Sequence, residues 1–326
     1  MLIQNKFAIG CLVQWYEIEI IEEYLVSLKN AVDIIDNKNN IIIDLYFYYG
    51  QRLEKIDDSQ ASMKKIIERY YKMVDDYFDG YNINNKVTDD FTTISDYRRE
   101  FNTKYCTEAD VLMWGESDGL LPKRTFEILD NLHNGVKDKT PKYLTFFGTC
   151  KMWDEGWKPI EHTEFTDKPF IENDFDNWWS LKYNMNLEEM NSFNDKVEEL
   201  DVRTVSPYKF NGCGLIISSE VIKSGINIPR SVFFIHEDTA FMNSMIKMLD
   251  GSIPQYVIKN VLLVHNRKHP DKRMYVKGES EIENHDVGKK RLTHSWYDKA
   301  NKMCEHNAYN MFNQSKTYSW EDVFND

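Results

Sequence analysis

The sequence predicts an α/β sandwich on a mostly parallel central sheet, with a helical C-terminal extension. Three observations predict it. Apolar runs of strand length alternate with stretches of helical periodicity from the first residues onward, the pattern of strand–helix–strand units. One run ends in an acid-x-acid triplet, Glu116-Ser117-Asp118, and open α/β sheets bind ligands beyond the carboxyl ends of their strands. No internal repeat and no Gly- or Ser-rich linker divides the chain sharply.

The elements follow in order. Phe7 to Trp15 is a short apolar run with the character of a buried strand, and Glu17 to Ala31 has helical spacing, with Ile20, Ile21, Tyr24, Leu25 and Leu28 on one side. Asn40 to Tyr49 is a second strand. Ser59 to Phe78 is a long amphipathic helix with Lys64, Lys65, Glu68 and Arg69 on its solvated side. Gly80 to Asn85 reads as a turn-rich break and Asp90 to Thr103 as a helix. Asp110 to Trp114 is the strand that carries the triplet. Pro122 to Leu132 is the helix after it, with proline at the first helical position. Tyr143 to Phe147 is a further strand. From Lys151 to Ser206 the periodicity weakens and Trp153, Trp157, Trp178 and Trp179 appear, as in an insertion or lid. Residues 1–280 are therefore expected to form the main domain, with the aromatic-rich insertion at about 151–206, and residues 281–326 the helical extension.

At 326 residues the chain can bury a full core. Its 42% hydrophobic and 29% charged residues place it among globular rather than disordered proteins. A formal net charge of −13 argues against a broad nucleic-acid-binding surface but permits a local basic patch. Arg267, Lys268, Lys272, Arg273 and Lys277 form such a patch after His265, followed by Lys289, Lys290 and Arg291. It reads either as solvated surface or as a phosphate-facing loop. The 14% of aromatic residues suits a sugar- or base-stacking cleft as well as a large core. Five scattered cysteines with no CxxC pair predict neither a disulfide framework nor a zinc site, and imply a reducing compartment. No signal peptide is recognised and no run approaches the roughly 18 apolar residues of a membrane span, so a soluble cytoplasmic protein is expected.

Four motifs carry chemistry. Side chains at i and i+2 of an extended chain point the same way, so Glu116 and Asp118 offer two hard oxygen ligands suited to Mg²⁺ or Mn²⁺. The same residues also fit a plain strand-to-helix turn, with Gly119 in the turn. In Phe210 to Ser218, FNGCGLIIS, Gly212 and Gly214 permit close backbone approach to a ligand. In Phe233 to Phe241, FFIHEDTAF, Glu237 and Asp238 stand at a helix start, where acids cap free amides, or where one could act as general base. Asn260 to Pro270, NVLLVHNRKHP, delivers His265 at a strand end beside basic residues, as a hydrogen-bonded structural residue or a metal ligand.

In this order the motifs resemble those of nucleotide-sugar-dependent glycosyltransferases of the GT-A fold, most closely the family 2-like group, over roughly residues 7 to 270. VQWYEIEIIEEYLVSL, Val13 to Leu28, resembles the family's opening strand and helix, with Val13 and Tyr16 where Pro and Asn are common. GESDGLLP resembles its DxD strand end, with Glu116 for the first Asp; HEDT resembles the ED motif whose Asp is the usual base. The resemblance implies a Rossmann-like α/β/α sandwich and an inverting transfer from a nucleoside-diphosphate sugar, a UDP-sugar first among them. It implies Glu116, Asp118 and His265 as ligands of Mn²⁺ or Mg²⁺. It implies Asp238 as base with Glu237 beside it. Arg98 or Arg99, Trp15, Glu17, Ser117 and Lys268 would lie on the donor side. Gly212, Gly214 and His236 would lie on the acceptor side. The acceptor stays open between a glycan, a lipid, a protein and a modified DNA base. A nucleotidyl-transferring relative would usually carry a Gly-rich, basic loop after the first strand, which VQWYEIE lacks. A catalytically silent carbohydrate-binding relative is the remaining alternative.

Overall fold

β1 (Phe7–Gln14) lies in the middle of the sheet, and all eight of its residues are buried. A strand covered on both faces needs a continuous apolar run rather than alternation, and FAIGCLVQ supplies one. In the computed structural model, residues 1–53, 62–151, 180–181, 186–206, 208, 212–249, 252–265 and 296–325 are described.

Beside β1 lie β2 (Ile41–Tyr48) and β4 (Val111–Trp114), both parallel to it, with registers running from Phe7↔Ile41 and Phe7↔Val111. β3 (Ile83–Thr88) extends the sheet beyond β2, also in parallel. The order continues from β4 through β9 (Ile216–Ser218) and β6 (Leu144–Lys151) to β10 (Gln255–His265), with β5 (Gly119–Leu120) against the end of β10. The short strands β7 (Ser180–Leu181) and β8 (Val202–Thr204) pair with β6 and β10. β5, β8 and β9 run against their neighbours and the other strands share one direction, so the sheet is mostly parallel.

Successive residues of β1 feed opposite layers. Ile9, Cys11 and Val13 join one core cluster with α1 (Ile21–Asp33), α2 (Met63–Phe78) and α4 (Thr125–Val136). Ala8 and Leu12 join the other, with α3 (Ile94–Tyr105), α6 (Ser219–Lys223), α7 (Glu237–Met248) and the C-terminal α8 (Tyr297–Asn310) and α9 (Trp320–Phe324). α5 (Leu187–Asn194) packs by β10, where its last residue Asn194 exchanges hydrogen bonds with the Leu262 backbone. This is the α/β/α sandwich with a mostly parallel sheet that the sequence predicts, and its C-terminal part is helical. The helix predicted to begin at Pro122 begins at Thr125, whose N–H and hydroxyl both donate to the Pro122 carbonyl.

One expectation is corrected. Gly80 to Asn85 is not a break throughout: Ile83 already pairs with Ile43, and the strand runs on to Thr88. Its INNKVT sequence is polar because this strand lies at the sheet edge, where alternate residues face solvent. The insertion tryptophans Trp153, Trp157, Trp178 and Trp179, and the basic run from Arg267 to Arg291, lie outside the described residues. Among the described residues no helix is long and apolar enough to cross a membrane.

Candidate active site

The carboxyl ends of β1 and β4 open into a cleft of about 210 Å³, whose walls include Gln14, Tyr16, Glu116, Asp118, Phe234 and Tyr297. After β4 the chain turns at once: the Gly119 N–H donates to the Glu116 carbonyl at 2.9 Å, closing a tight loop around Ser117 and Asp118. Gly119 then pairs antiparallel with His265 at the end of β10. The loop and the histidine are thus joined by backbone pairing, which side-chain contact alone would not fix so firmly. His265 Nε2 lies 3.4 Å from Glu116 Oε2 and 3.3 Å from Asp118 Oδ1. Asp118 and His265 are buried, and Glu116 keeps 25% of its side chain exposed, toward the cleft.

Cys213 joins them. Its sulfur, a Glu116 carboxylate oxygen and a His265 ring nitrogen all lie within 4.8 Å of one another. The donor types fit a cation: a carboxylate oxygen, an imidazole nitrogen and a sulfur are each ligands that divalent transition ions take. Sequence reasoning did not single out Cys213, since scattered cysteines with no CxxC pair predict neither a disulfide framework nor a zinc site. Ligands from separate strands need no CxxC spacing, so the one available signal was a cysteine lying between two motif glycines.

Arg98, on α3, is 2% exposed and joins two carboxylates. Its Nη2 donates to Glu116 Oε1 at 2.9 Å, its Nη1 donates to Glu237 Oε1, and its guanidinium lies 4.7 Å from the centroid of the Trp114 ring. Burial would raise the Glu116 carboxyl, but Arg98 and His265 outweigh it and hold the group below the usual carboxylate range. Glu237 moves the other way: burial, aided by Asp238 and opposed by Arg98, pushes it up to about 7. Burial and the neighbouring carboxylates push the Cys213 thiol well up.

Asp238 is the less buried member of the HEDT pair. Its Oδ1 accepts from the Thr239 N–H at 2.7 Å. A Cβ on Gly212 would stand 3.1 Å from both Asp238 Oδ2 and Arg98 Nη1, so a larger residue there would crowd both side chains. Gly214 has φ +69°, and its N–H donates to the Trp114 carbonyl at 3.1 Å, anchoring the start of β9 beside the triplet loop.

Of the other predicted residues, Glu17 and Ser117 line the cleft and Trp15, Arg99 and His236 do not. Trp15 is 1% exposed, its ring edge-on to Tyr16, and it is Tyr16 that faces the cleft. Glu17 lines the cleft while its Oε2 accepts from the Gln14 N–H at 3.0 Å, fixing the turn after β1. Ser117 is buried in the cleft wall. Arg99 turns away: it pairs with Asp96 and donates to the carbonyls of Ile228, Pro229 and Val232. His236 adopts φ 68° before α7, and its Nε2 lies 2.8 Å from Asn301 Oδ1 on α8. Lys268 lies outside the described residues. Sequence reasoning did not single out Gln14, Phe234 or Tyr297 as cleft residues. They belong to three distant segments that only the fold assembles.

No protein-family model matches the chain, and no curated protein matches it. Solved structures with a similar backbone include S. aureus TarS, at 13% identity and TM-score 0.46 over 82% of this chain. This chain spans only 61% of the length of that one. A second is glucosyl-3-phosphoglycerate synthase from Mycobacterium tuberculosis in complex with Mn²⁺, UDP and glucosyl-3-phosphoglycerate, at 12% identity and TM-score 0.40, covering 82% of this chain and 74% of that one. A third is 4-diphosphocytidyl-2C-methyl-D-erythritol synthase from Anaerococcus prevotii, at 11% identity and TM-score 0.38, covering 78% and 88%. Function is therefore read from the side chains of this chain.

Proposed function

We propose that the chain is a metal-dependent glycosyltransferase that moves a sugar from a nucleoside-diphosphate sugar to an acceptor hydroxyl, with inversion at the anomeric carbon. One observation supports this above the others: Glu116, Asp118 and His265 meet at the mouth of a cleft beyond β1 and β4, with Asp238 just across Arg98. Held by Asp118, His265 and Glu116, Mn²⁺ or Mg²⁺ would offset the charge that builds on the departing diphosphate.

Asp238 takes the acceptor proton while the acceptor oxygen bonds to the anomeric carbon. The bond from that carbon to the diphosphate oxygen breaks, and its electron pair leaves with the diphosphate. Attack from the face opposite the leaving group inverts the carbon. Glu237 is tied to Arg98 and does not compete as base. Arg98 itself is a positioning residue in this reading, fixing Glu116 on one side and Glu237 on the other. Tyr16 and Tyr297 supply aromatic walls against which a planar base can rest.

The test is calorimetric binding of UDP and GDP, and of their sugar conjugates, with and without Mn²⁺. Metal-dependent binding to one nucleotide, lost in Asp118→Ala, is the expected result. Asp238→Asn is expected to keep that binding and to lower transfer by about 10²- to 10⁴-fold. Transfer at the normal rate by a folded Asp238→Asn protein overturns the base assignment, and no nucleotide binding by the folded wild type overturns the donor site.

A further inference from the structure

The sulfur beside the proposed cation site is held there by construction. Cys213, Glu116 and His265 come from three segments: the approach to β9, the loop after β4 and the end of β10. The Trp114 N–H donates to the Leu215 carbonyl at 2.9 Å and the Gly214 N–H donates back to the Trp114 carbonyl, so the residue before Gly214 is fixed next to the triplet loop. Gly119, opposite His265 in the β5–β10 pair, keeps the space clear. A Cβ there would sit 3.2 Å from Cys213 Sγ and 3.6 Å from Glu116 Cβ. A side chain at 119 would crowd the Cys213 sulfur and only touch Glu116.

A buried cysteine is ordinarily a small hydrophobe. Cys304 fits that description, in the apolar cluster with Ala300 and Ala308. Cys213 packs on the core too, yet its sulfur lies within 4.8 Å of a carboxylate oxygen and an imidazole nitrogen, both of them ligand types. We propose that Cys213 supplies a sulfur ligand to a cation that Glu116 and His265 hold with it, and that the site therefore selects a thiophilic ion such as Zn²⁺ over Mg²⁺. The physical basis is donor softness: Mg²⁺ takes hard oxygen ligands, whereas a thiolate favours softer ions. When the sulfur–metal bond forms, the thiol proton leaves to water. This rests on the reading of the loop as a cation site.

The experiment is a Co²⁺ titration of the metal-free full chain, followed by absorption. Visible ligand-field bands report Co²⁺ in a protein site, and a near-ultraviolet charge-transfer band reports a sulfur ligand. Both bands are expected in the wild type and in Cys304→Ser. Cys213→Ser is expected to keep the ligand-field bands and lose the charge-transfer band. Competition should show Zn²⁺ binding weakened at least about tenfold in Cys213→Ser, with Mg²⁺ binding unchanged. Ligand-field bands without charge transfer in the wild type overturn the sulfur assignment and leave the cation site standing. A charge-transfer band that survives in Cys213→Ser also overturns it. Absence of both bands in the wild type removes the cation site along with the proposal. Absence of the charge-transfer band in the wild type overturns the assignment whether or not Cys213→Ser folds, and Cys213→Ala serves as the second variant for assigning a band that is present.

Discussion

Arg98 is charged and almost wholly out of water, and its two partners are carboxylates from different parts of the chain. Breaking a buried ion pair by removing one side leaves the other uncompensated. Arg98→Met is therefore expected to cost about 3–5 kcal/mol in urea unfolding, with part of it recovered when Glu237→Gln is added. A loss below about 1 kcal/mol would mean that water reaches these carboxylates. Glu237 adds a pH dependence. Its carboxyl is pushed from 4.5 up to about 7 by burial and by Asp238, against the pull of Arg98. The native state thus holds this proton more tightly than the unfolded chain. The contribution is fully present below pH 4.5 and is lost as the pH rises through about 7. Glu237→Gln should lose less stability than the wild type across that window, read as the difference in urea midpoints. Parallel curves would place Glu237 ionised throughout.

At the scale of the element, the C-terminal end of α1 carries Asp33, an acid where the helix dipole disfavours one. Lys29, Lys38 and Tyr81 compensate, all three hydrogen-bonded to its carboxylate. Partial burial alone would raise the Asp33 carboxyl, but these partners outweigh it and bring it from 3.8 down to about 2. Its contribution is present above pH 3.8 and lost as the pH falls through about 2. The group is a third exposed, so solvent screening keeps the effect small. Asp33→Asn is expected to cost about 1 kcal/mol or less at neutral pH, and progressively less as the pH falls through about 2, in paired thermal melts. Element type was largely legible in the sequence: β1, α1, β2, β4 and β10 each carry a pattern that no alternative explains. β3 was not, because INNKVT has turn formers and no apolar stripe. The open edge of β2 makes it a strand by supplying backbone partners from Ile43 to Tyr48.

At the scale of the whole molecule, the C-terminal helices complete the second core layer and one wall of the cleft. Ala300, Cys304 and Ala308 of α8 are fully buried, and Tyr297 lines the cleft beside Phe234. The Trp320 ring lies 4.7 Å from Phe233, 5.5 Å from Trp296 and 6.0 Å from Phe234, centroid to centroid. Trp320→Ala is expected to cost about 2 kcal/mol, half-buried as it is, and to weaken nucleotide binding through Phe234. Unchanged unfolding and binding would show that α8 docks without it. The alternation of strands and helices, the carboxylates at the end of β4 and the histidine at the end of β10 were all legible in the chain. Those are local properties: apolar periodicity, turn chemistry and the residue that ends a strand. It took the fold to show that Arg98 serves two carboxylates, that Arg99 ties α3 to the Ile228–Val232 segment, and that Trp15 is core while Tyr16 is wall. The fold alone placed the Cys213 sulfur beside Glu116 and His265. Those outcomes depend on contacts between residues about a hundred or more positions apart in most cases, and on the rotation of a single turn in the case of Trp15, neither of which local pattern encodes.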